Sequence, residues 1–159
     1  RLPHPRPLLF GGGQERGLRS GTEATAQIAG FAKAVERRLA RLEEINTQMA
    51  ALRDYAAERL QEIPTLQFIG QADAPHILSL SLPGYPSQNI VNDLGNRGIC
   101  VSAGSVCHQG KASLTAMGLP KKVSAGTIRV SFGPETTRED IDALAAALRE
   151  HKERRFPML

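Results

Sequence analysis

The sequence predicts an α/β or α+β fold, because short strand candidates alternate along the chain with segments of helical periodicity. In the clearest strands, residues 76–82 and 127–132, apolar and polar side chains alternate. The clearest helix spans residues 23–63, where apolar residues recur every seven positions until Pro64 ends the pattern. We therefore expect a short sheet packed against helices and preceded by one long helix.

The length of that helix is informative. Forty residues at 1.5 Å each would extend about 60 Å, whereas a compact chain of this size is only about 40 Å across. The helix must therefore break, for example near Gly30, or connect two bodies. Five shorter elements complete the prediction: strands at 66–69 and 99–102, a helix at 88–96 with Gly98 as its stop, a short helix at 114–119, and a helix from Arg138 to about His151. Thr136 with Glu139 fits a capping box for the last helix. The predicted inner face of that helix consists of Ile141, Leu144, Ala145 and Leu148.

Composition excludes several classes of protein. The 159 residues suffice for one domain or slightly more, and 41% hydrophobic with 23% charged residues argues against disorder. The net charge of +4 comes from scattered basic residues with only 4% aromatics, so we expect no nucleic-acid binding. There is no apolar run of membrane-spanning length, no signal peptide and no cluster of histidines, so we expect a cytoplasmic protein without a membrane span or metal site.

The two cysteines have different sequence surroundings. Cys107 follows a strand candidate and a turn of small residues, and the nearby His108 and Lys111 would favour the thiolate, which is the nucleophilic form. The alternative is a small apolar side chain near a turn. Cys100 lies within the predicted strand 99–102, so we expect a buried structural thiol there.

Two further residues are candidates for anion binding. Arg129 lies in the middle of an apolar strand and needs an anion, since its planar guanidinium suits a carboxylate. A structural ion pair or solvent exposure on an edge strand would also explain it. Thr22 precedes the long helix, where a hydroxyl, free amides and the helix dipole could bind a phosphate. Thr22 could equally serve only as the helix cap.

Four segments, taken in order, resemble one protein family. They are the glycine-rich run 11–23, the strand 75–81, the strand and cysteine loop 98–107, and the strand 128–133 followed by Thr136 and Thr137. Together they resemble the C-terminal part of cysteine desulfurases, enzymes of the aminotransferase class-V group. The resemblance covers essentially the whole chain.

The resemblance implies a pyridoxal-5′-phosphate (PLP) enzyme of fold type I, of which this chain supplies the small C-terminal domain with a short mixed or antiparallel sheet. Residues 1–22 would end the large PLP domain, 23–63 would form the interdomain helix, and 64–159 would form the small domain that carries the cysteine loop. The chain begins without methionine, and we expect it to be part of a longer protein.

The resemblance also implies specific roles. Cys107 would take sulfur from L-cysteine as a persulfide and leave L-alanine, Arg129 would bind the substrate carboxylate, and Thr22 would contact the PLP phosphate across a homodimer interface. The sulfur would pass to an acceptor or scaffold protein for the assembly of iron–sulfur clusters or other sulfur-containing cofactors.

Two departures from the family pattern stand out. The stretch after Cys107 is short, which shortens the loop that carries the thiol. None of the five lysines has the sequence context of the Schiff-base lysine, so we expect the isolated chain to be inactive and without PLP. Two alternatives remain. The first is another class-V aminotransferase or lyase, which the cysteine loop argues against. The second is a non-catalytic small domain that binds a partner; an intact mass in solution above 17.2 kDa would favour the enzyme over it.

Overall fold

The computed structural model describes residues 5–71, 73–104, 114 and 116–157. The chain divides into two compact units, Arg1–Leu42 and Glu43–Leu159. The helices are α1 (Thr25–Leu39), α2 (Leu42–Gln61), α3 (Ser87–Gly95), α4 (Lys121–Ala125) and α5 (Arg138–Arg154). The strands are β1 (Gln67–Phe68), β2 (Ile77–Ser81), β3 (Ser102–Ala103) and β4 (Thr127–Ser131).

The first unit contains the glycine-rich loop, which folds back on itself. Leu9 and Arg19 form an isolated parallel bridge. Within this loop the backbone amide of Ser20 donates to the carbonyl of Leu9 at 3.3 Å, and its hydroxyl donates to the carbonyl of Gly12 at 3.0 Å. A short 3₁₀ segment, Gln14–Gly17, lies between these contacts. Hydrogen bonds between the two ends of the glycine-rich loop therefore hold it in a defined turn.

The helix predicted over 23–63 is interrupted, although not near Gly30. Helix α1 ends at Leu39 and α2 begins at Leu42, while Gly30 lies undisturbed inside α1. At the interruption the amide of Arg41 donates to the carbonyl of Arg38 at 3.2 Å, a tighter turn than that of an α-helix. The sequence places Arg37, Arg38 and Arg41 there at spacings that bring like charges together, which destabilises a continuing helix.

The apolar stripe predicted for the long helix behaves differently in its two halves. In α2 the predicted positions are buried in the core of the second unit; they are Ile45, Met49, Leu52, Ala56 and Leu60. In α1 no residue is buried. The large apolar side chains there, Ile28, Phe31, Val35 and Leu39, are all exposed.

The sheet of the second unit has the strand order β1-β2-β4-β3, and every neighbouring pair is antiparallel. The strands predicted at 76–82 and 127–132 are confirmed as β2 and β4. One face of the sheet, with Leu80 and Ile128 paired across it, packs with α2, α3 and α5 in one hydrophobic core.

The strand predicted at 99–102 is largely wrong, since β3 begins only at Ser102. Its first residues instead complete the end of α3, where the amide of Ile99 donates to the carbonyl of Leu94 at 3.0 Å and that of Gly98 to Gly95 at 3.0 Å. This is a Schellman motif, with Gly98 in the left-handed conformation (φ 77°) that such an ending needs. Gly98 was predicted as the end of this helix.

The last helix begins at Arg138, as predicted, but its capping box lies one residue further along the chain. The capping box is formed by Thr137 and Asp140, not by Thr136 and Glu139. The Thr136 hydroxyl instead accepts a hydrogen bond from the amide of Gly133 at 2.9 Å. Both pairs have the same sequence spacing, so the pattern alone could not choose between them. The predicted inner face is confirmed, because Ile141, Leu144, Ala145 and Leu148 are buried.

A buried histidine–carboxylate pair joins α5 to α3. The side chain of His151 is 1% exposed, and its Nδ1 lies 2.8 Å from Oδ2 of Asp93. This hydrogen bond is the main reason that the pKa of Asp93 is lowered from its ordinary value, with smaller contributions from the charges of His151, Arg97 and Arg155. The carboxylate form is thus favoured in the folded chain.

We predict that Asp93→Ala lowers the free energy of unfolding by about 1–3 kcal/mol near neutral pH, because it leaves the buried imidazole without its acceptor. Since folding lowers the pKa of Asp93, the stabilisation is complete above its ordinary value of about 3.9 and is lost as the pH falls through the lower folded value. Urea unfolding at about pH 6 and about pH 3 measures this loss.

The matched control is Asp54→Ala, which removes a carboxylate that is 70% exposed and paired with Arg53. Its expected cost is below about 1 kcal/mol, because solvent screens exposed pairs. Equal costs for the two variants, or a difference between wild type and Asp93→Ala that does not shrink between about pH 6 and about pH 3, would contradict the role of the buried pair.

Candidate functional site

The second face of the sheet carries the predicted substrate-binding residue. Ile128 and Val130 are buried in the core, so the alternation of β4 places Arg129 between them on the opposite face. Arg129 pairs with Ser79 of β2 on one side and with Ser102 of β3 on the other. It therefore lies on an inner strand of the sheet between two small hydroxyl side chains, and not on an edge strand.

At one end this face is covered by α4. The Ser81 hydroxyl donates to the carbonyl of Val123 at 2.7 Å, and the Thr127 hydroxyl donates to the same carbonyl at 2.9 Å. At the other end Ser131 is exposed. Helix α4 was not predicted, although Pro120 directly before it is a common signal for the start of a helix.

The guanidinium of Arg129 has few hydrogen-bond partners among the described residues. Its Nη2 donates to the Ser102 hydroxyl over a long 3.4 Å, and its Nε is buried without a hydrogen-bond partner. No carboxylate pairs with Arg129 in the described part of the chain, so the alternative of a structural ion pair finds no support there. A half-buried cation with unused donors suits an added anion such as a carboxylate.

Thr22 lies in the first unit, where its side chain is exposed. The alternative that Thr22 caps the helix is wrong, because the N-cap position of α1 is Ala24 and no side chain caps this helix. The preceding Gly21 has a left-handed φ of 115°, and its amide donates to Oε1 of Gln14 at 3.4 Å. The Thr22 hydroxyl thus follows a fixed turn and has no capping role.

Cys107 lies outside the described residues, as do His108 and Lys111. Its assignment as the nucleophile therefore stays a prediction. Among the predicted site residues, the structure describes Arg129 and Thr22, which belong to different compact units.

The prediction that Cys100 is buried is wrong, because its thiol is free and exposed. The predicted alternation is present, but with the opposite orientation: Ile99 and Val101 are the residues that pack against the core. A cavity of about 250 Å³ lies beside Cys100, between the chain at 98–101, β4 and α5. A solvent-facing thiol here was missed because strand periodicity does not tell which of its two faces is buried.

Two kinds of feature are absent from the described residues, namely a metal-binding cluster and a membrane-spanning helix. Within 5–71, 73–104, 114 and 116–157, no three histidine, cysteine or acidic side chains are grouped as a metal site. In the same part of the chain, no helix combines the length and the apolar character needed to cross a bilayer.

The sequence pattern of the aminotransferase class-V family matches residues 6–144. The cysteine desulfurase IscS of Clostridium botulinum is 34% identical over 150 residues, covering 89% of this chain and 38% of that protein. The selenocysteine lyase of Homo sapiens is 35% identical over 156 residues, covering 91% of this chain and 35% of that protein. The chain therefore spans less than two-fifths of these relatives.

A solved structure gives the same result for the fold. The X-ray structure of a NifS-like protein from Rickettsia africae superposes with a TM-score of 0.82 at 29% identity, covering 93% of this chain and 40% of that one. The superposition confirms the predicted fold class, a helix-packed sheet like that of NifS-like proteins.

The exposure of Cys100 predicts that iodoacetamide labels it in the folded chain, at a rate within about tenfold of that in the unfolded chain, because no burial protects the thiol. Peptide mass spectrometry after brief labelling distinguishes Cys100 from Cys107. The control is Ser81→Cys, a near-isosteric change at a position that is 0% exposed, and this thiol should stay unlabelled. Protection of Cys100 equal to that of the control would contradict the exposed placement.

Proposed function

We propose, since the chain belongs to the aminotransferase class-V family, that it forms the C-terminal part of a PLP-dependent cysteine desulfurase. The complete enzyme converts L-cysteine to L-alanine and transfers the sulfur to an enzyme cysteine as a persulfide. The observation that carries the proposal is Arg129, a half-buried cation on an inner strand with which no described carboxylate pairs. Its place between two serines on an accessible sheet face suits the carboxylate of an amino acid.

The described residues that would hold the cofactor fit this role in part. Thr22 has an exposed hydroxyl after a fixed glycine turn, an arrangement suited to a phosphate oxygen. When bound, PLP acts as an electron sink for the bonds at the substrate α-carbon. The contribution of this chain would be to bind the cofactor phosphate through Thr22 and to orient the substrate through Arg129.

Cys107 is the proposed sulfur acceptor. Its thiolate forms an S–S bond with the substrate sulfur while the Cβ–S bond of the substrate breaks. The electron pair of that bond stays with Cβ, which takes up a proton to give alanine, and Cys107 is left as a persulfide. His108 and Lys111, close to it in sequence, would favour the thiolate. An acceptor or scaffold protein then removes the sulfur, for iron–sulfur cluster or other sulfur-cofactor assembly.

The exposed apolar stripe of α1 supports the proposed domain organisation. Phe31 is 73% exposed, and Ile28 and Leu39 are more than half exposed. Such a stripe favours burial against another surface. In the complete enzyme we propose that the large PLP domain covers this stripe. Residues 1–22 would be the last segment of that domain, 23–63 the interdomain connection and 64–159 the small domain. A homodimer in the cytoplasm completes the proposal.

One relative favours a second candidate function. The human protein that is 35% identical to this chain is a selenocysteine lyase, so a lyase acting on the selenium analogue of cysteine shares the same scaffold. Both substrates have the carboxylate that Arg129 would bind, so this residue does not separate them. The two functions can be separated by comparing kcat/KM for L-cysteine and L-selenocysteine in the complete enzyme and in its Cys107→Ala variant. Loss of only the cysteine activity in the variant would favour the desulfurase.

We predict that Arg129→Lys in the complete enzyme lowers kcat/KM for L-cysteine by about tenfold to a hundredfold, because a planar two-pronged donor becomes a single point charge. The melting temperature should change little, because no described carboxylate depends on Arg129. Steady-state kinetics with thermal unfolding measures both.

The opposite pattern would contradict the assignment. Unchanged kinetics with a lowered melting temperature would make Arg129 a structural residue and remove the main support for the proposed function. Arg53→Lys is the matched control, because Arg53 is paired with the adjacent Asp54 on α2 and has no proposed role in substrate binding.

A further inference from the structure

Arg129 has a serine on each side in the sheet, and among the described contacts its guanidinium forms a hydrogen bond with only one of them. Ser79 and Ser102 both pair with Arg129 in the strand register. Only the Ser102 hydroxyl accepts a hydrogen bond from the guanidinium, from Nη2 at 3.4 Å. Ser79 has no described hydrogen bond to Arg129, and it lines a cavity next to β1 and α2 instead. The two serines therefore occupy equivalent positions beside Arg129 in the sheet but differ in their hydrogen bonding to it.

The buried Nε limits how Arg129 can bind an anion. This nitrogen is enclosed and without a partner, so a carboxylate from solvent cannot reach it unless the side chain moves. The terminal nitrogens Nη1 and Nη2 remain for a two-pronged contact, because a guanidinium carries five N–H donors in a fixed plane. The orientation of that plane decides whether both terminal nitrogens face the ligand.

We infer that Ser102 is a positioning residue, whose hydroxyl holds the Arg129 guanidinium in the orientation that binds a carboxylate. The inference rests on the proposed function, in which Arg129 binds the substrate. An arginine side chain has many rotamers, and fixing it before binding reduces the entropic cost of the complex. Ser102 contributes no contact to the substrate itself.

The placement of Ser102 suits this role. It is the first residue of β3, directly paired with β4, so its backbone is held by the sheet. Arg129 is flanked by Ile128 and Val130, which are fixed in the core. Donor and acceptor are therefore both anchored on rigid elements, as a precise binding geometry requires.

The test uses Ser102→Ala, with Ser79→Ala as the matched control and Ser102→Thr as the rescue. In the 159-residue chain, the ¹⁵Nε–¹H signal of Arg129 reports its exchange with water and its response to added L-alanine, an unreactive amino acid with the same carboxylate. We expect Ser102→Ala to speed Nε–H exchange severalfold and to weaken L-alanine binding about threefold to tenfold. Ser79→Ala should do neither, and Ser102→Thr should restore both.

In the complete enzyme, Ser102→Ala should raise KM for L-cysteine by a similar factor with kcat nearly unchanged, because it affects binding and not the reacting atoms. A fall in kcat alone would overturn the inference, as would equal effects of the two alanine variants on L-alanine binding.

The outcomes separate this inference from the proposed function. If L-alanine binds the wild-type chain and Arg129→Lys abolishes that binding, but Ser102→Ala has no effect, then only the role of Ser102 is overturned. If wild type shows no L-alanine binding in the NMR titration and Arg129→Lys leaves the kinetics of the complete enzyme unchanged, then the role of Arg129 fails and that of Ser102 fails with it.

Discussion

The alternation of β4 is the constraint on which the site depends. Ile128 and Val130 are buried in the core on one face of the sheet, and this fixes Arg129 on the other face. Because β4 has neighbours on both sides, the Arg129 side chain projects from the interior of the sheet and not from an edge. A shift of one residue in register would bury the cation among leucines and expose two core residues, so the same packing that stabilises the sheet also sets the face on which the proposed carboxylate site lies.

The second unit was largely predictable from the sequence because its elements carry strong periodic patterns. The seven-residue pattern of α2, the alternation in β2 and β4 and the inner face of α5 all correspond to buried side chains. The pattern continues unchanged into α1, where the same kinds of residue are exposed. Periodicity therefore identifies the apolar side of a helix, but it does not identify the surface that covers that side.

The incorrect predictions concern short segments where two placements have similar local signals. Thr136 with Glu139 and Thr137 with Asp140 have the same spacing, and only the approach of Gly133 to Thr136 decides between them. Cys100 does lie on the opposite side from Ile99 and Val101, but Ile99 and Val101 pack against the core and Cys100 is exposed. Arg129 is a candidate site residue for the opposite reason: an isolated charge in an apolar strand has few structural explanations.

The polar groups on the Arg129 face show how the fold tolerates this residue. The side chains of Ser81 and Thr127 are buried, and each donates a hydrogen bond to the same α4 carbonyl. Neither hydroxyl is therefore an unsatisfied buried donor. The Nε of Arg129 is the exception among the described residues, since it is buried and unpaired. A buried unpaired donor costs about 1–3 kcal/mol. An apolar residue would avoid that cost, so a benefit other than folding best accounts for the arginine, and the proposed binding of a carboxylate at the adjacent terminal nitrogens would supply one.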